Sequence, residues 1–147
     1  MSDIVIEAST DIEVAFYEVD PMQIMWHGNY INFMERARCA LLEKLNYSYV
    51  DMEKDGYGWP VVDVHVKYMR PLQFRQKVRV TARLTEYEFG LRLTYTFVDI
   101  ATGKITTKAE STQMAINMKT RETSIVSPKQ LIEKVEAYKK KLLEEKA

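Results

Sequence analysis

Alternating apolar and polar side chains predict several half-buried β-strands along this chain. The alternation is regular from Val61 to Met69, from Lys77 to about Tyr87, from Leu91 to Phe97 and in a last long strand from Ile105 to Met118. A looser alternation from Asp11 to Val19 predicts an earlier strand. Because short turns join the later strands, they are expected to pair as one antiparallel sheet.

A helical period replaces the alternation after Asn29. Apolar residues recur there at steps of three and four, at Tyr30, Phe33, Met34, Ala37, Leu41 and Leu45. This spacing predicts a long helix buried along one face, with Asn29 as its N-cap and Gly28 in a backbone conformation that favours glycine. A terminal amphipathic helix is predicted after Pro128, with one face formed by Leu131, Val135, Tyr138 and Leu142.

The order of these elements indicates an α+β fold in which helix packs on sheet. The long helix follows the first strand, a short helical turn is predicted at Val50 to Lys54, and four antiparallel strands come next. One helix of about four turns cannot cover both faces of such a sheet, so either the sheet curls around it or a second copy of the chain covers the rest. We expect residues 1–147 to form a single domain.

The charge balance argues against a nucleic-acid partner. Lysine plus arginine number 21 and aspartate plus glutamate also number 21, so the chain has no basic footprint. One cysteine, Cys39, and two histidines make neither a disulfide nor a zinc cluster, so no metal and no cofactor is predicted. Since no signal peptide and no membrane-spanning segment is recognisable, we expect a soluble cytoplasmic protein.

The stretch between Asp20 and His27 combines an isolated carboxylate with five apolar side chains and no other charge. Surface loops are normally polar, so this loop is expected to fold inward, against the core or around an apolar ligand. Asp20 and His27 would then lie at the two ends of this loop, at the border of the apolar space. The helix that follows begins with unpaired backbone N–H groups and the positive end of its dipole, which would stabilise a carbonyl oxygen that gains negative charge.

The same stretch carries a family resemblance. The run YEVDPMQIMWHGNY, residues 17–30, followed by Phe33, Glu35 and Arg38, resembles the signature of the 4-hydroxybenzoyl-CoA thioesterase family. The resemblance extends from about Asp11 to Met118 and leaves the terminal helix outside. It implies a hotdog fold, an antiparallel β-sheet wrapped around one long central helix, here with an extra C-terminal helix.

The resemblance also implies an activity and a set of site residues. The expected reaction is hydrolysis of an acyl-CoA or acyl-carrier-protein thioester to free acid and thiol. The carboxylate of Asp20 corresponds to the family's nucleophile or general base, and the backbone N–H groups at His27 and Gly28 correspond to the donors that polarise the carbonyl. The His27 side chain is a further catalytic candidate. The residues expected to bind substrate are Met25, Trp26, Gly28, Asn29 and Tyr30.

The identity of the thiol half is open at this point. In some relatives, basic residues near the turn before the fourth strand bind the phosphates of CoA, whereas this chain has Glu86 and Glu88 there. Two other functions also remain: a dehydratase acting on carrier-bound 3-hydroxyacyl chains, and a non-catalytic module that holds an acyl chain. No GxSxG, P-loop or GxGxxG motif occurs, which argues against serine-hydrolase and nucleotide-binding functions.

A homodimer or homotetramer is expected, because members of the family complete their sites from two chains and a lone sheet exposes an edge. Glu35 and Arg38 are three residues apart on the long helix and are interpreted as an ion pair that supports it. His65 lies on a polar strand face and is interpreted as a solvated or interface residue.

Overall fold

The computed structural model describes residues 4–146, and its largest element is a five-stranded antiparallel sheet. The strands lie in the order β1-β4-β5-β6-β3. Their bounds are β1 Glu7–Glu13, β3 Val61–Tyr68, β4 Lys77–Glu86, β5 Leu91–Asp99 and β6 Ile105–Gln113. The predicted antiparallel pairing of the later strands is confirmed.

The long helix α1, Asn29–Lys44, packs on one face of this sheet. The period of three and four places its apolar side chains in the core, where Phe33 stacks on Phe97 of β5 with ring centroids 6.3 Å apart. The opposite face of the sheet is polar, as Thr94, Thr96 and Lys108 illustrate. The apolar face of the sheet is the one that packs against α1, and Tyr68 on this face remains 47% exposed. The predicted α+β architecture around one central helix is confirmed.

The first strand ends earlier than the alternation predicts. β1 pairs with β4 from Glu7 opposite Arg83 to Glu13 opposite Lys77 and does not reach Val19. A short turn of 3-10 helix, Phe16–Glu18, follows, and the Glu18 carboxylate accepts the Ala15 N–H at 2.8 Å. This local hydrogen bond favours the turn over a continued strand.

The start of α1 also differs from the prediction. Gly28 is the N-cap and has an ordinary helical φ of −70°, so it needs no special backbone conformation. Asn29 is the first helical residue, and its side-chain amide donates to the Glu18 carbonyl at 2.9 Å rather than capping the helix. A Cβ atom on Gly28 would lie 2.2 Å from the Trp26 ring, so the close approach of this ring accounts for the glycine.

The predicted ion pair of Glu35 and Arg38 is present, and it belongs to a buried cluster. Arg38 is only 5% exposed and donates to the hydroxyls of Tyr49, at 2.8 Å, and Tyr95, at 3.4 Å. The Tyr95 hydroxyl is also 2.7 Å from Ser111 Oγ. The guanidinium thus joins α1 to the sheet and to the helix that follows.

The remaining elements are two helices and a small second sheet. Helix α2, Tyr49–Lys54, confirms the predicted short turn, and the terminal helix is α3, Lys129–Lys146. The last predicted strand is interrupted at Met114, so that β7 separates from β6 and a second sheet forms in the order β2-β7-β8. Its strands are β2 Tyr57–Gly58, β7 Ala115–Asn117 and β8 Thr123–Ser124. Within residues 4–146 no helix is both long and apolar enough to cross a bilayer.

Candidate active site

The loop before α1 is a short β-hairpin, called here the site hairpin, residues 18–26. Val19 pairs with Met25, and the Asp20 N–H donates to the Ile24 carbonyl at 2.9 Å. The hairpin is attached to the body of the protein because the Met25 N–H donates to the Leu72 carbonyl at 2.7 Å. This places the isolated carboxylate of Asp20 at the tip of a supported two-stranded structure.

The turn at the tip holds the Asp20 carboxylate by one oxygen. Oδ1 accepts the Met22 N–H at 2.8 Å, and the Asp20 carbonyl accepts the Gln23 N–H at 2.8 Å. Gln23 adopts a φ of 64°, a left-handed conformation that is uncommon outside glycine and closes the turn. Oδ2 accepts no hydrogen bond from any residue that the structure describes, so this oxygen is available to water or substrate.

The two faces of the site hairpin have different surroundings. Side chains alternate along a strand and directly opposed residues share a face, so Asp20, Ile24 and Trp26 point to one side and Val19 and Met25 to the other. Met25 is 2% exposed and belongs to the core, whereas Trp26 is 50% exposed. Met25 therefore folds against the core, which is one of the two expected alternatives. The Trp26 ring lies on the solvent face, where packing around an apolar ligand, the other alternative, stays a prediction.

A groove of about 830 Å³ runs beside Asp20. Aromatic side chains line much of it: Phe16 and Phe74 meet edge to face with centroids 5.7 Å apart, and Tyr17 lies next to them. Gln73 adds an amide to the lining. The groove is thus apolar with polar groups at its border, as small-molecule sites commonly are.

A second group of residues surrounds the start of α1. The Tyr68 hydroxyl donates to the His27 carbonyl at 2.9 Å, and the Tyr68 ring contacts Tyr30 edge to face at 4.7 Å. The His27 and Trp26 rings lie 5.0 Å apart. Across residues 4–146, no protein acceptor takes the N–H of His27 or of Gly28. These amides are the uncommitted donors that the sequence led us to expect.

The structure brings some predicted site residues together and separates others. The Trp26 ring lies next to His27 and Gly28 and does not line the groove beside Asp20. Gly28 follows two residues after Trp26. The His27 side chain does not line the groove beside Asp20 and faces solvent at the start of α1 instead.

The two predicted substrate-binding residues at the start of α1 make contacts within the protein. The Tyr30 hydroxyl accepts the Leu72 N–H at 3.3 Å, and burial raises the pKa of Tyr30. Asn29 binds the Glu18 carbonyl through its side chain. Asn29 thus binds the site hairpin directly, and Tyr30 binds Leu72, the residue to which the hairpin is attached. A contact of either residue with substrate stays a prediction.

Several residues that line the groove beside Asp20 or contact the start of α1 were not predicted from the sequence. Phe16 and Tyr17 lie in the 3-10 turn, Gln73 and Phe74 lie in the segment between β3 and β4, and Tyr68 ends β3. The adjacent aromatic pair just before Asp20 was an available signal. No signal marked Phe74, because its contact with Phe16 joins segments far apart in sequence.

These features identify a class of protein. The chain belongs to the thioesterase-like superfamily, whose family model matches residues 14–139. The resemblance noted from residues 17–30 is thereby confirmed at the level of the family.

Individual relatives agree with this assignment. The chain is 34% identical over 108 residues to "Putative acyl-CoA thioesterase YneP" of Bacillus subtilis, which covers 73% of this chain and 78% of that protein. It superposes on a DHNA-CoA thioesterase from Staphylococcus aureus with a TM-score of 0.80 at 27% identity, covering 93% and 91% of the two chains. The Staphylococcus aureus protein SAV2348, solved in complex with CoA, shares the fold at 20% identity, with a TM-score of 0.81 and coverage of 95% and 88%.

Proposed function

We propose that this chain is an acyl-CoA thioesterase in which Asp20 promotes the attack of water on the thioester carbonyl. The observation that supports this most is the position of the Asp20 carboxylate at the border of the groove, with one oxygen uncommitted. The membership in a thioesterase family and the uncommitted amides of His27 and Gly28 agree with it. We also propose a cytoplasmic location, because the single cysteine allows no disulfide within the chain, as is usual for proteins of a reducing compartment.

The reaction follows from the two kinds of group. The thioester carbonyl lies between Asp20 and the start of α1, with its oxygen toward the amides. As water attacks, Asp20 Oδ2 takes the proton of the water, and negative charge moves to the carbonyl oxygen, where the amides and the helix dipole stabilise it. The tetrahedral intermediate collapses when the C–S bond breaks, which releases the acid and the thiolate. In the alternative nucleophilic route, Asp20 attacks the carbonyl carbon, the C–S bond breaks and the thiolate leaves, and water then hydrolyses the resulting mixed anhydride to the acid and the free Asp20 carboxylate.

Tyr68 fixes the direction of one of these amides. The peptide between His27 and Gly28 is planar and trans, so its carbonyl and its N–H point in opposite directions. The Tyr68 hydroxyl holds the carbonyl on one side at 2.9 Å. The Gly28 N–H is consequently presented on the other side, where we place the developing oxyanion.

The His27 imidazole is a further candidate for proton transfer because it neighbours the same amides. His27→Gln removes the imidazole and keeps the backbone N–H. A loss of kcat in this variant would assign a role to the side chain, and an unchanged kcat would limit the role of His27 to its amide.

We also propose a homo-oligomer. Among residues 4–146, β3 pairs with β6 alone, and this edge strand exposes Val62 at 56% and Tyr68 at 47%. An exposed apolar edge invites pairing with a second copy, and Tyr68 would bring such an interface to the start of α1. Light scattering should give a dimer or a tetramer that Val62→Lys weakens, and a stable monomer at micromolar concentration would contradict the proposal.

The decisive experiment is thiol release from acyl-CoA, followed with a chromogenic thiol trap. Asp20→Asn preserves the shape of the side chain and its bond to Met22, and should lower kcat by about a hundred- to ten-thousandfold, or about 3–5 kcal/mol in the barrier. Glu144→Gln, an exposed carboxylate on α3, is the matched control. Wild-type turnover in Asp20→Asn would remove Asp20 from the mechanism.

The same assay separates the two rivals. Formation of an enoyl product without free thiol would indicate the dehydratase. Binding of acyl-CoA with neither product would indicate an acyl-binding module. If the protein hydrolyses acyl-carrier-protein thioesters and not acyl-CoA, the thiol that carries the acyl group differs from the proposal, but the reaction is the one proposed.

A further inference from the structure

A second concavity borders the groove beside Asp20. Its volume is about 690 Å³, and Gln73 and Phe74 line both the concavity and the groove. Three cations line it, Arg70, Arg75 and Lys104, and we call it the cationic concavity. The two spaces therefore form one track across the surface, separated only by the Gln73–Phe74 ridge.

The cations of this concavity are not neutralised by the protein. Among residues 4–146, salt bridges involve other arginines, and none involves Arg70, Arg75 or Lys104. The one carboxylate in the lining, Asp99, is engaged in its own turn, where Oδ1 accepts the Ala101 N–H at 3.1 Å. The concavity is left with two positive charges in excess, which suits an anionic ligand.

The position of Arg75 is built into the fold. Its backbone has a φ of 70°, unusual for a residue with a long side chain, and its N–H donates to the Val14 carbonyl at 2.9 Å. Its guanidinium carbon lies 5.3 Å from the centre of the Phe74 ring, a cation–π contact. Arg75 is thereby held on the ridge between the concavity and the groove.

The other end of β4 cannot serve the same purpose. Glu86 and Glu88 occupy that end, and their negative charges disfavour an anionic ligand. The ten residues of β4 separate the two ends by roughly 30 Å. The site hairpin lies at the cationic end, because Ile24 pairs with Gln73.

We propose that the cationic concavity binds the phosphates of CoA and so fixes the direction in which the thioester lies on the protein. The pantetheine arm crosses the ridge at Gln73 and Phe74, where the Gln73 amide meets the amides of the arm. The acyl group then points from Asp20 toward Trp26 along the solvent face of the site hairpin. This inference rests on the proposed thioesterase function.

The chemistry of the lining agrees with this ligand. Guanidinium groups donate paired hydrogen bonds to phosphate oxygens, and CoA presents a diphosphate and a 3′-phosphate. A carrier-bound thioester presents a single phosphodiester, which leaves part of the positive charge unmatched. The observations therefore favour CoA over a carrier protein as the thiol half.

The test compares two thioesters of the same acyl group, one with CoA and one with N-acetylcysteamine, which has no phosphate. Arg75→Ala should raise KM for the CoA thioester roughly tenfold with little change in kcat, the loss expected for one charge-assisted hydrogen bond. It should leave kcat/KM for the N-acetylcysteamine thioester unchanged. Arg75→Lys should recover part of the loss, and Lys140→Ala, an exposed cation on α3, should behave like the wild type.

Two results would overturn the inference. Equal losses on both thioesters would mean that Arg75 supports the fold or the chemistry and not the phosphates. If Arg75→Ala raises KM for an acyl-carrier-protein thioester as much as for acyl-CoA, the nucleotide of CoA is not recognised. If the wild type releases no thiol at all, the proposed function is wrong. Calorimetric titration of CoA into the wild type and into Arg75→Ala then decides independently whether the concavity binds the phosphates of CoA.

Discussion

Removal of one hydroxyl group tests the proposed geometry of the oxyanion site. Tyr68→Phe deletes the donor that lies 2.9 Å from the His27 carbonyl and keeps the ring that packs against Tyr30. Burial raises the pKa of Tyr68, so its hydroxyl remains a protonated donor throughout the neutral range. The variant therefore isolates one hydrogen bond.

The size of the effect follows from that bond. A neutral hydrogen bond contributes about 0.5–1.5 kcal/mol, and a loss of this size in the transition state lowers kcat by about two- to twelvefold. The Gly28 amide is needed most when charge develops on the carbonyl oxygen, so KM should change little. Initial rates of thiol release over a range of acyl-CoA concentrations separate the two parameters.

The control for Tyr68→Phe is Tyr138→Phe, the same deletion on α3. Both variants should show the melting temperature of the wild type within a few degrees. An unchanged kcat in Tyr68→Phe, or a change confined to KM, would refute the argument that this hydroxyl orients the Gly28 amide.

Three further predictions concern stability. Arg38→Met should lower the free energy of unfolding by about 2 kcal/mol in urea titrations, because the buried hydroxyl of Tyr95 and the partly buried hydroxyl of Tyr49 lose their donor, and a loss below about 0.5 kcal/mol would contradict this. Phe97→Ala should cost about 3–5 kcal/mol in the same assay, because its side chain is fully buried against Phe33. The Ser48 N–H and hydroxyl hold the pKa of Asp51 below its usual range, so this cap stabilises the fold above about pH 4 and is lost as the pH falls through the lowered pKa. Asp51→Asn should accordingly lower the melting temperature at pH 7 more than at pH 3, and an equal shift at both values would exclude the ionic cap.

Much of the fold is predictable from this sequence because its strongest patterns are local. The periods of two and of three to four residues place β3, β4, β5 and α1 within a few residues of their observed bounds. Each of these elements buries one face against the same core, so the local pattern and the tertiary structure agree.

The candidate site was less predictable because its parts meet only in three dimensions. The signature predicts Asp20 and the start of α1, but not that Gln73 and Phe74, more than fifty residues later, line the same groove. The single-residue expectations for Gly28 and Asn29 were wrong for a related reason. Contacts with the site hairpin determine the conformation of Gly28 and the hydrogen bond of Asn29. Helix and capping propensities describe an isolated helix and do not include such contacts.

Several departures from local rules lie near the groove, although two further left-handed residues, Asn46 and Arg121, lie elsewhere. β1 ends before the 3-10 turn that precedes Asp20. Gln23 and Arg75 adopt left-handed backbone conformations, and the Trp26 ring lies so close to Gly28 that a Cβ atom would clash with it. Such conformations cost free energy and persist where the surrounding structure holds them. Hydrogen bonds from the 3-10 turn, from the segment before β4 and from α1 all converge on the site hairpin and supply that support. Such support is what a preorganised site requires, so these departures agree with the proposal that the chemistry takes place beside Asp20.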